Sequence, residues 1–188
     1  MAGFVAAEGA DFALIGAWAM LVHGYDRPTD DLDLGVAVHL EDLKGIAKRA
    51  SDAGFKVELR EPEHLDPLGG VVDVWFEEQL VQIVNFRNST NSMGGDLQPL
   101  ARDAIDRAQQ FLPGSETIRV IGVGHLIALK VAAWDGHSER AKVVRDVKGL
   151  LDASEGALEK GQAVCNQFGR IRALNKMLKL FGAAGERP

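Results

Sequence analysis

Two aspartates spaced by one residue, Asp31 and Asp33 in the stretch Thr29-Asp30-Asp31-Leu32-Asp33-Leu34, carry the clearest chemical signal in the chain. On a strand they share one face, while Leu32 and Leu34 share the other. Two carboxylates on one face of a half-buried strand repel each other, which raises the cost of ionising both. A divalent cation between them removes that cost, and magnesium favours carboxylate oxygens combined with substrate phosphates. A third acid, Asp73, stands in Val71-Val72-Asp73-Val74-Trp75-Phe76, where Val72, Val74 and Phe76 point one way and Val71, Asp73 and Trp75 the other. If the two strands are neighbours, three carboxylates converge, which suits two cations about 4 Å apart. One cation would lower the pKa of an attacking hydroxyl, and both would neutralise charge on a transferring phosphoryl group.

Upstream, the apolar run Phe12 to Ile15 meets Gly16-Ala17, where a strand gives way to a helix. Exposed amides at such a turn suit a phosphate, and glycine lets an anion approach the backbone closely. Each signal has a plainer reading when taken alone. Gly16-Ala17 is then a simple strand-to-helix turn, an isolated D-x-D a solvated strand face, and Lys130 a snorkelling lysine at a helix edge. His23 reads as a capping or packing residue. His125 and His137 lack the spacing of a zinc site. Cys165 has no nearby base or cation and reads as a buried structural thiol. Trp18, Trp75 and Trp134 read as core or pocket-wall residues.

The elements that must hold these residues follow from periodicity and punctuation. Strands are expected at Phe12–Ile15, Leu32–Val38, Phe55–Leu59, Val71–Phe76, Leu80–Phe86 and Thr117–Ile121, with Glu77-Glu78 in a turn. Helices are expected at Ala17–Val22, capped by Gly24, and at Glu41–Ala53, with Leu43, Ile46 and Ala50 on the inner stripe and Gly54 as the stop. A further helix is expected at Pro99–Phe111, and Arg87–Asp96 reads as a mobile loop. From Gly122 onward the pattern is helical: His125–Trp134 ended by Gly136, then Glu139–Leu151, then two helices between Glu155 and Phe181 that part near Gly169. Strands mixed with helices, followed by a helical tail, give an α/β (α+β) fold class. The expected division is a catalytic core over 1–121 and a C-terminal helical region over 122–188 packed on it.

The 188 residues allow one domain with a substantial core. A net charge of −6 argues against a surface coated in phosphate-binding cations. It leaves room for a local basic patch such as Arg170, Arg172, Lys176 and Lys179 in the last helix. A single cysteine excludes an intramolecular disulfide. The opening residues lack a basic region and contain acids, so they read poorly as a signal peptide. No apolar run approaches the roughly 18 residues of a membrane span. A cytoplasmic protein without membrane contact is the expectation.

The combination of Gly16-Ala17, thirteen intervening residues, Asp31-Leu32-Asp33-Leu34 and a later strand aspartate resembles the nucleotidyltransferase superfamily pattern. The wording FALIGAWAMLVHGYDRPTDDLDL is most similar to the AbiEii-type branch, which includes toxins of type IV toxin–antitoxin systems. LIALKVAAW adds to the likeness, as does Arg140-x-Lys142-x-x-x-Asp146, which resembles an R-x-K-D-x-x-D segment. The resemblance touches residues from about Phe12 to Leu151. It implies a nucleotidyltransferase-like mixed β-sheet with flanking helices, and a magnesium-dependent transfer of a nucleoside monophosphate from an NTP to a hydroxyl, with pyrophosphate released. Gly16 and Ala17 would hold the nucleotide's phosphates. Asp31 and Asp33 would bind Mg2+, with two ions expected, and Asp73 would be the third ligand or the base. Lys130 would meet the triphosphate, Asp146 would complete the pocket, and Arg27 and Thr29 would contact substrate. The implied acceptor is RNA such as tRNA, or a small molecule; a cognate antitoxin protein is a further implied partner. The alternative is a non-catalytic nucleotide- or protein-binding module on a degenerate nucleotidyltransferase fold. Three departures stand out: Ala17 in place of a second glycine or a serine, Val143 where the branch has aspartate, and Gly122 where it has a serine cap.

Overall fold

The computed structural model describes residues 2–64, 66–88, 97–115, 117–134 and 141–184. Seven strands form one mixed sheet: β1 Phe12–Leu14, β2 Asp31–Val36, β3 Lys56–Arg60, β4 Val71–Phe76, β5 Gln79–Asn85, β6 Gln110–Phe111 and β7 Arg119–Val120. Their order across the sheet is β3-β4-β5-β2-β1-β7-β6. The helices are α1 Ala2–Ala7, α2 Gly16–Val22, α3 Leu40–Asp52, α4 Leu97–Asp106, α5 Val123–Trp134, α6 Ala141–Ala153, α7 Ala157–Gln167 and α8 Ile171–Ala184.

Alternation decides the two faces. Leu34, Val36, Val72, Val74, Val81 and Ile83 are buried on one face, where α3 packs on β3 and β4. Leu43, Ile46, Ala47 and Ala50 form the buried stripe of α3, and each fully buried Leu or Ile contributes roughly 2 kcal/mol of apolar transfer energy. The opposite face carries Asp31 and Asp33 of β2, Leu80 and Gln82 of β5, Asp73 and Trp75 of β4, and Lys56 and Glu58 of β3. Its register is continuous: Asp33 pairs with Gln82, Gln82 with Asp73, and Asp73 with Glu58. Laterally paired residues in a sheet point to the same side, so these four form one row.

The central helix is α5. It is apolar on nearly every side, with Val123, Leu126, Ile127, Ala128, Leu129, Val131 and Trp134 all buried, as expected of a helix surrounded by protein. It contacts α2, α4, α6, α7 and α8. Its approach to α7 is close because a Cβ on Gly124 would lie 2.7 Å from the Lys160 carbonyl oxygen. Lys130 rides on this helix, so its backbone is fixed by the core.

One local expectation gives way. The helix expected over 99–111 begins earlier and stops at Asp106, and Gln110–Phe111 is a strand that pairs with β7. Edge pairing overrides helix propensity there because Phe111 and Gln110 can complete a ladder. The helix α1 was not legible, being only six residues long with Val5 its single buried member. Most of the expected loop over 87–96, and the Gly136 stop, lie outside the described residues.

Candidate active site

The site begins with contact between its first two motifs. Gly16 opens α2 with φ +66°, and a Cβ there would lie 1.8 Å from Asp33 Oδ2. Any side chain would therefore displace the carboxylate, and the positive φ disfavours one independently. The Ile15 amide donates to the Asp33 carbonyl at 2.9 Å, and β1 pairs antiparallel with β2, Leu14 opposite Leu34. The turn at Gly16-Ala17 and the D-x-D strand are thus one structural unit.

Asp31 and Asp33 stand side by side, half-buried, and among the described residues neither has a cation within ion-pair distance. Thr29 Oγ1 donates to Asp31 Oδ1. Burial and then the neighbouring Asp31 push the Asp33 carboxyl up to about 6, against the opposing fields of Lys130, Arg27 and Lys142. Removing a carboxylate from water disfavours its charged form, and a second anion beside it adds to that cost.

Three cations gather behind the pair. Lys130 Nζ donates to Asp146 Oδ2 at 2.6 Å, and Arg27 Nε lies 3.3 Å from Asp146 Oδ1. The second contact is ionic without hydrogen-bond alignment, since Arg27 Nε and Asp146 Oδ1 are both buried with no hydrogen-bond partner. Asp146 is 1 % exposed and sits on α6, where Lys142 lies one turn earlier. One buried carboxylate thereby holds two cations toward the D-x-D strand and leaves them net positive. The candidate residues Gly16, Ala17, Arg27, Thr29, Asp31, Asp33, Lys130 and Asp146 come from β2, α2, α5, α6 and the turn before β2, and the fold brings them together. Arg140 lies outside the described residues.

Asp73 is not brought to the pair. Strand β5 runs between β2 and β4, which separates Asp73 from Asp33 by about 10 Å, twice the spacing of neighbouring strands. Its carboxylate is taken: Arg60 binds it in fork geometry, Nε and Nη2 each at 3.1 Å, and Gln82 Nε2 donates to it at 2.7 Å. Among the described residues no group of three or more His, Cys, Asp or Glu is placed to hold a metal ion. The expected convergence of three carboxylates therefore fails, because the strands that carry them are not neighbours. Gln82 and Arg60 are the residues that sequence reasoning missed. Both become significant only through the β2–β5–β4–β3 register, which no local pattern encodes.

The remaining candidates have structural partners. His23 Nε2 pairs with the Ile121 carbonyl at 2.7 Å, tying α2 to the start of α5. His125 Nε2 lies 2.8 Å from Asp103 Oδ2 on α4. Burial pushes the Cys165 thiol up to about 11, which makes it inert as a nucleophile. Trp134 is buried, and Lys176 of α8 lies 5.5 Å from its ring centre. Trp75 is half-buried beneath Lys56, 4.4 Å from the ring centre. His137 lies outside the described residues. No helix among the described residues is long and apolar enough to cross a membrane.

The mixed sheet with its flanking helices matches nucleotidyltransferase-like folds. Among solved structures, the chain is similar to ANT(2")-Ia in complex with adenylyl-2"-tobramycin, with 14 % identity, a TM-score of 0.50, and coverage of 88 % of this chain and 93 % of that one. It is also similar to an antigenic nucleotidyltransferase-like protein from Paracoccidioides brasiliensis, with 15 % identity, a TM-score of 0.50, and coverage of 95 % and 88 %. At these identities the likeness is one of fold. No family model matches the sequence, and no curated protein matches it.

Proposed function

We propose that the protein transfers a nucleoside monophosphate from an NTP to a hydroxyl acceptor and releases pyrophosphate. The observation that carries this reading is the Asp31–Asp33 pair. It is half-buried, without an ion-pair partner among the described residues, strained electrostatically at Asp33, and faced by cations that are themselves oriented by a buried carboxylate. A protein does not retain such charges cheaply unless a ligand offsets them.

Two neighbouring carboxylates fit magnesium, which takes one or two protein carboxylates and fills its remaining positions with water and substrate phosphate oxygens. Asp31 and Asp33 would hold the ion, which supplies charge neutralisation at the phosphates. The protein's own work is positioning. Thr29 fixes the orientation of Asp31 through its hydroxyl. Gly16 and Ala17 present backbone close to Asp33 where no side chain intrudes. Lys130 and Arg27, tethered to Asp146, add positive potential where a triphosphate's charge would lie. Transfer at such a site needs alignment and electrostatic stabilisation more than covalent chemistry.

The acceptor reading rests on α8 and on the structural neighbour. Arg172, Lys176 and Lys179 are exposed on a helix that carries no acid among Ile171–Ala184, which fits RNA such as tRNA. The neighbour's adenylylated tobramycin gives the small-molecule alternative. Titration of NTP with and without Mg2+ into the wild type and Asp31→Ala/Asp33→Ala tests the core of the proposal. Metal-dependent binding that survives the double substitution overturns it. Labelled NTP incubated with bulk tRNA then decides the acceptor, since RNA transfer leaves label on the RNA.

A further inference from the structure

At the other end of β2 from the carboxylate pair lies a cavity of about 210 Å³. It opens where the sheet, α1, α3 and α4 meet. From Asp31 to Val36 the strand spans roughly 17 Å at about 3.3 Å per residue, so this cavity is separate from the nucleotide site. Its charged lining comprises Glu8, Asp11, Asp42, Arg87, Arg102 and Asp106.

Partners distinguish these six groups. Glu8 is held by Arg49, and Asp11 by Arg119 at 3.3 Å. Asp42 accepts the His39 amide at 3.2 Å at the start of α3, where a carboxylate is also matched by the helix dipole. Neither Arg87 nor Arg102 has a carboxylate within ion-pair distance among the described residues. Among the described residues, what is left facing the space is therefore two guanidiniums without an ion-pair partner and one exposed carboxylate, Asp106.

The wall that carries Arg87 is rigid. Asn85 is fully buried, and its side-chain oxygen accepts from the Val38 and Arg87 amides at 3.1 and 3.2 Å. Its amide nitrogen donates to the Val38 and Gly69 carbonyls, each at 3.1 Å. One buried side chain thus fixes the exit of β2 and the exit of β5 against each other, on both sides of the cavity. A fixed backbone bearing a free arginine is how anion sites hold their geometry, because the guanidinium fork matches two phosphate oxygens at once.

We propose that this cavity binds a phosphate group, either free phosphate or the phosphate end of a small metabolite, between Arg87 and Arg102. Asp106 would then take a hydroxyl or amine of the same ligand. The cavity has room for a phosphate group and a small attached moiety. The site stands independently of the nucleotidyltransferase reading.

The test is a titration of inorganic phosphate and, separately, glycerol 3-phosphate into the full chain, followed by amide NMR shifts. Saturable shifts at Val38, His39, Arg87 and Arg102 are expected. In Arg87→Gln/Arg102→Gln the affinity should fall by about a hundredfold or more, the size expected for two charge-assisted hydrogen bonds. The melting temperature in phosphate-free buffer should stay unchanged, because neither side chain has a partner to lose. Tighter glycerol 3-phosphate binding marks a metabolite, and equal binding marks free phosphate. Absence of shifts at these amides, shifts confined to Gly16–Trp18 and Lys130, or shifts that persist in the double variant would each overturn the proposal.

Discussion

Asp33 and Asp73 occupy one cross-strand row on one face of the sheet, yet their surroundings are opposite. Asp73 is almost fully buried and satisfied, held by the Arg60 fork and by Gln82. Asp33 has burial and a neighbouring anion pushing its carboxyl up to about 6, with Lys130 and Arg27 drawn back onto Asp146. Residue type and strand alternation make the two look alike. What separates them is which strand lies beside each one, and therefore which charges it meets.

That comparison is broken first by activity. Asp33→Ala should lower nucleotidyl transfer by at least about 10³-fold, the scale of losing a principal electrostatic element of a transfer site. A labelled-NTP assay checks it, and a residual rate near wild type would remove Asp33 from the chemistry. Next in size is Lys130→Met. It leaves Asp146, 1 % exposed, with only the misaligned Arg27 contact, and should cost about 2–3 kcal/mol in urea unfolding, below the roughly 3–5 kcal/mol of a fully buried pair because Lys130 is partly exposed. Adding Asp146→Leu should recover most of that stability and none of the activity, which separates the pair's structural part from its role toward substrate.

Gly16→Ala follows. The new methyl would sit 1.8 Å from Asp33 Oδ2 on a residue at φ +66°, so a loss of about 2 kcal/mol is expected from strain and overpacking together. MgNTP affinity should fall with it, since the carboxylate must move aside. An unchanged affinity would show that Asp33 is free to shift, contrary to a fixed site.

A smaller effect has the opposite sign. Because the folded-state carboxyl of Asp33 titrates near 6 and the unfolded one near 3.8, the native state binds the extra proton between those values. Stability therefore falls as pH rises through that window. Asp33→Asn should stabilise the ligand-free protein at pH 7.5 by about 1–2 kcal/mol, allowing for solvent screening. The gain should vanish below about pH 4, where the wild-type group is itself neutral. Thermal unfolding across pH 4–8 reads this directly; a destabilised Asn variant at pH 7.5 would contradict the strain at Asp33.

Much of this site is written locally. Gly16-Ala17, the alternation around Asp31 and Asp33, and the apolar run around Lys130 each follow from periods of two or 3.6 within a dozen residues, and the elements they specify form where expected. The faces of β4 were also legible, because Val72, Val74 and Phe76 alternate cleanly with Asp73. The position of β4 was not. Nothing in its sequence states that β5 inserts between it and β2 as a parallel partner of β2, and that insertion alone turns a third carboxylate into the partner of Arg60. The arginines at the far end of β2 were invisible for the same reason: Arg87 and Arg102 come to line one cavity only because α4 packs across β2.

The smallest expected effect sharpens the comparison most. If Asp73 is a structural member of the row, Asp73→Asn keeps its shape and one acceptor for Gln82 but removes the charge that Arg60 clasps. Arg60 is half exposed, so water replaces much of the lost attraction, and the cost should be only about 1 kcal/mol. Transfer should change by less than about tenfold, since Asp73 stands about 10 Å from Asp33. Arg60→Gln should reproduce the stability change, and the double variant Asp73→Asn/Arg60→Gln should cost less than the sum of the two, because each single change already breaks the same contact. A 10³-fold loss of transfer in Asp73→Asn with no such coupling would mean that Asp73 leaves Arg60 during turnover. The two carboxylates would then belong to one site after all.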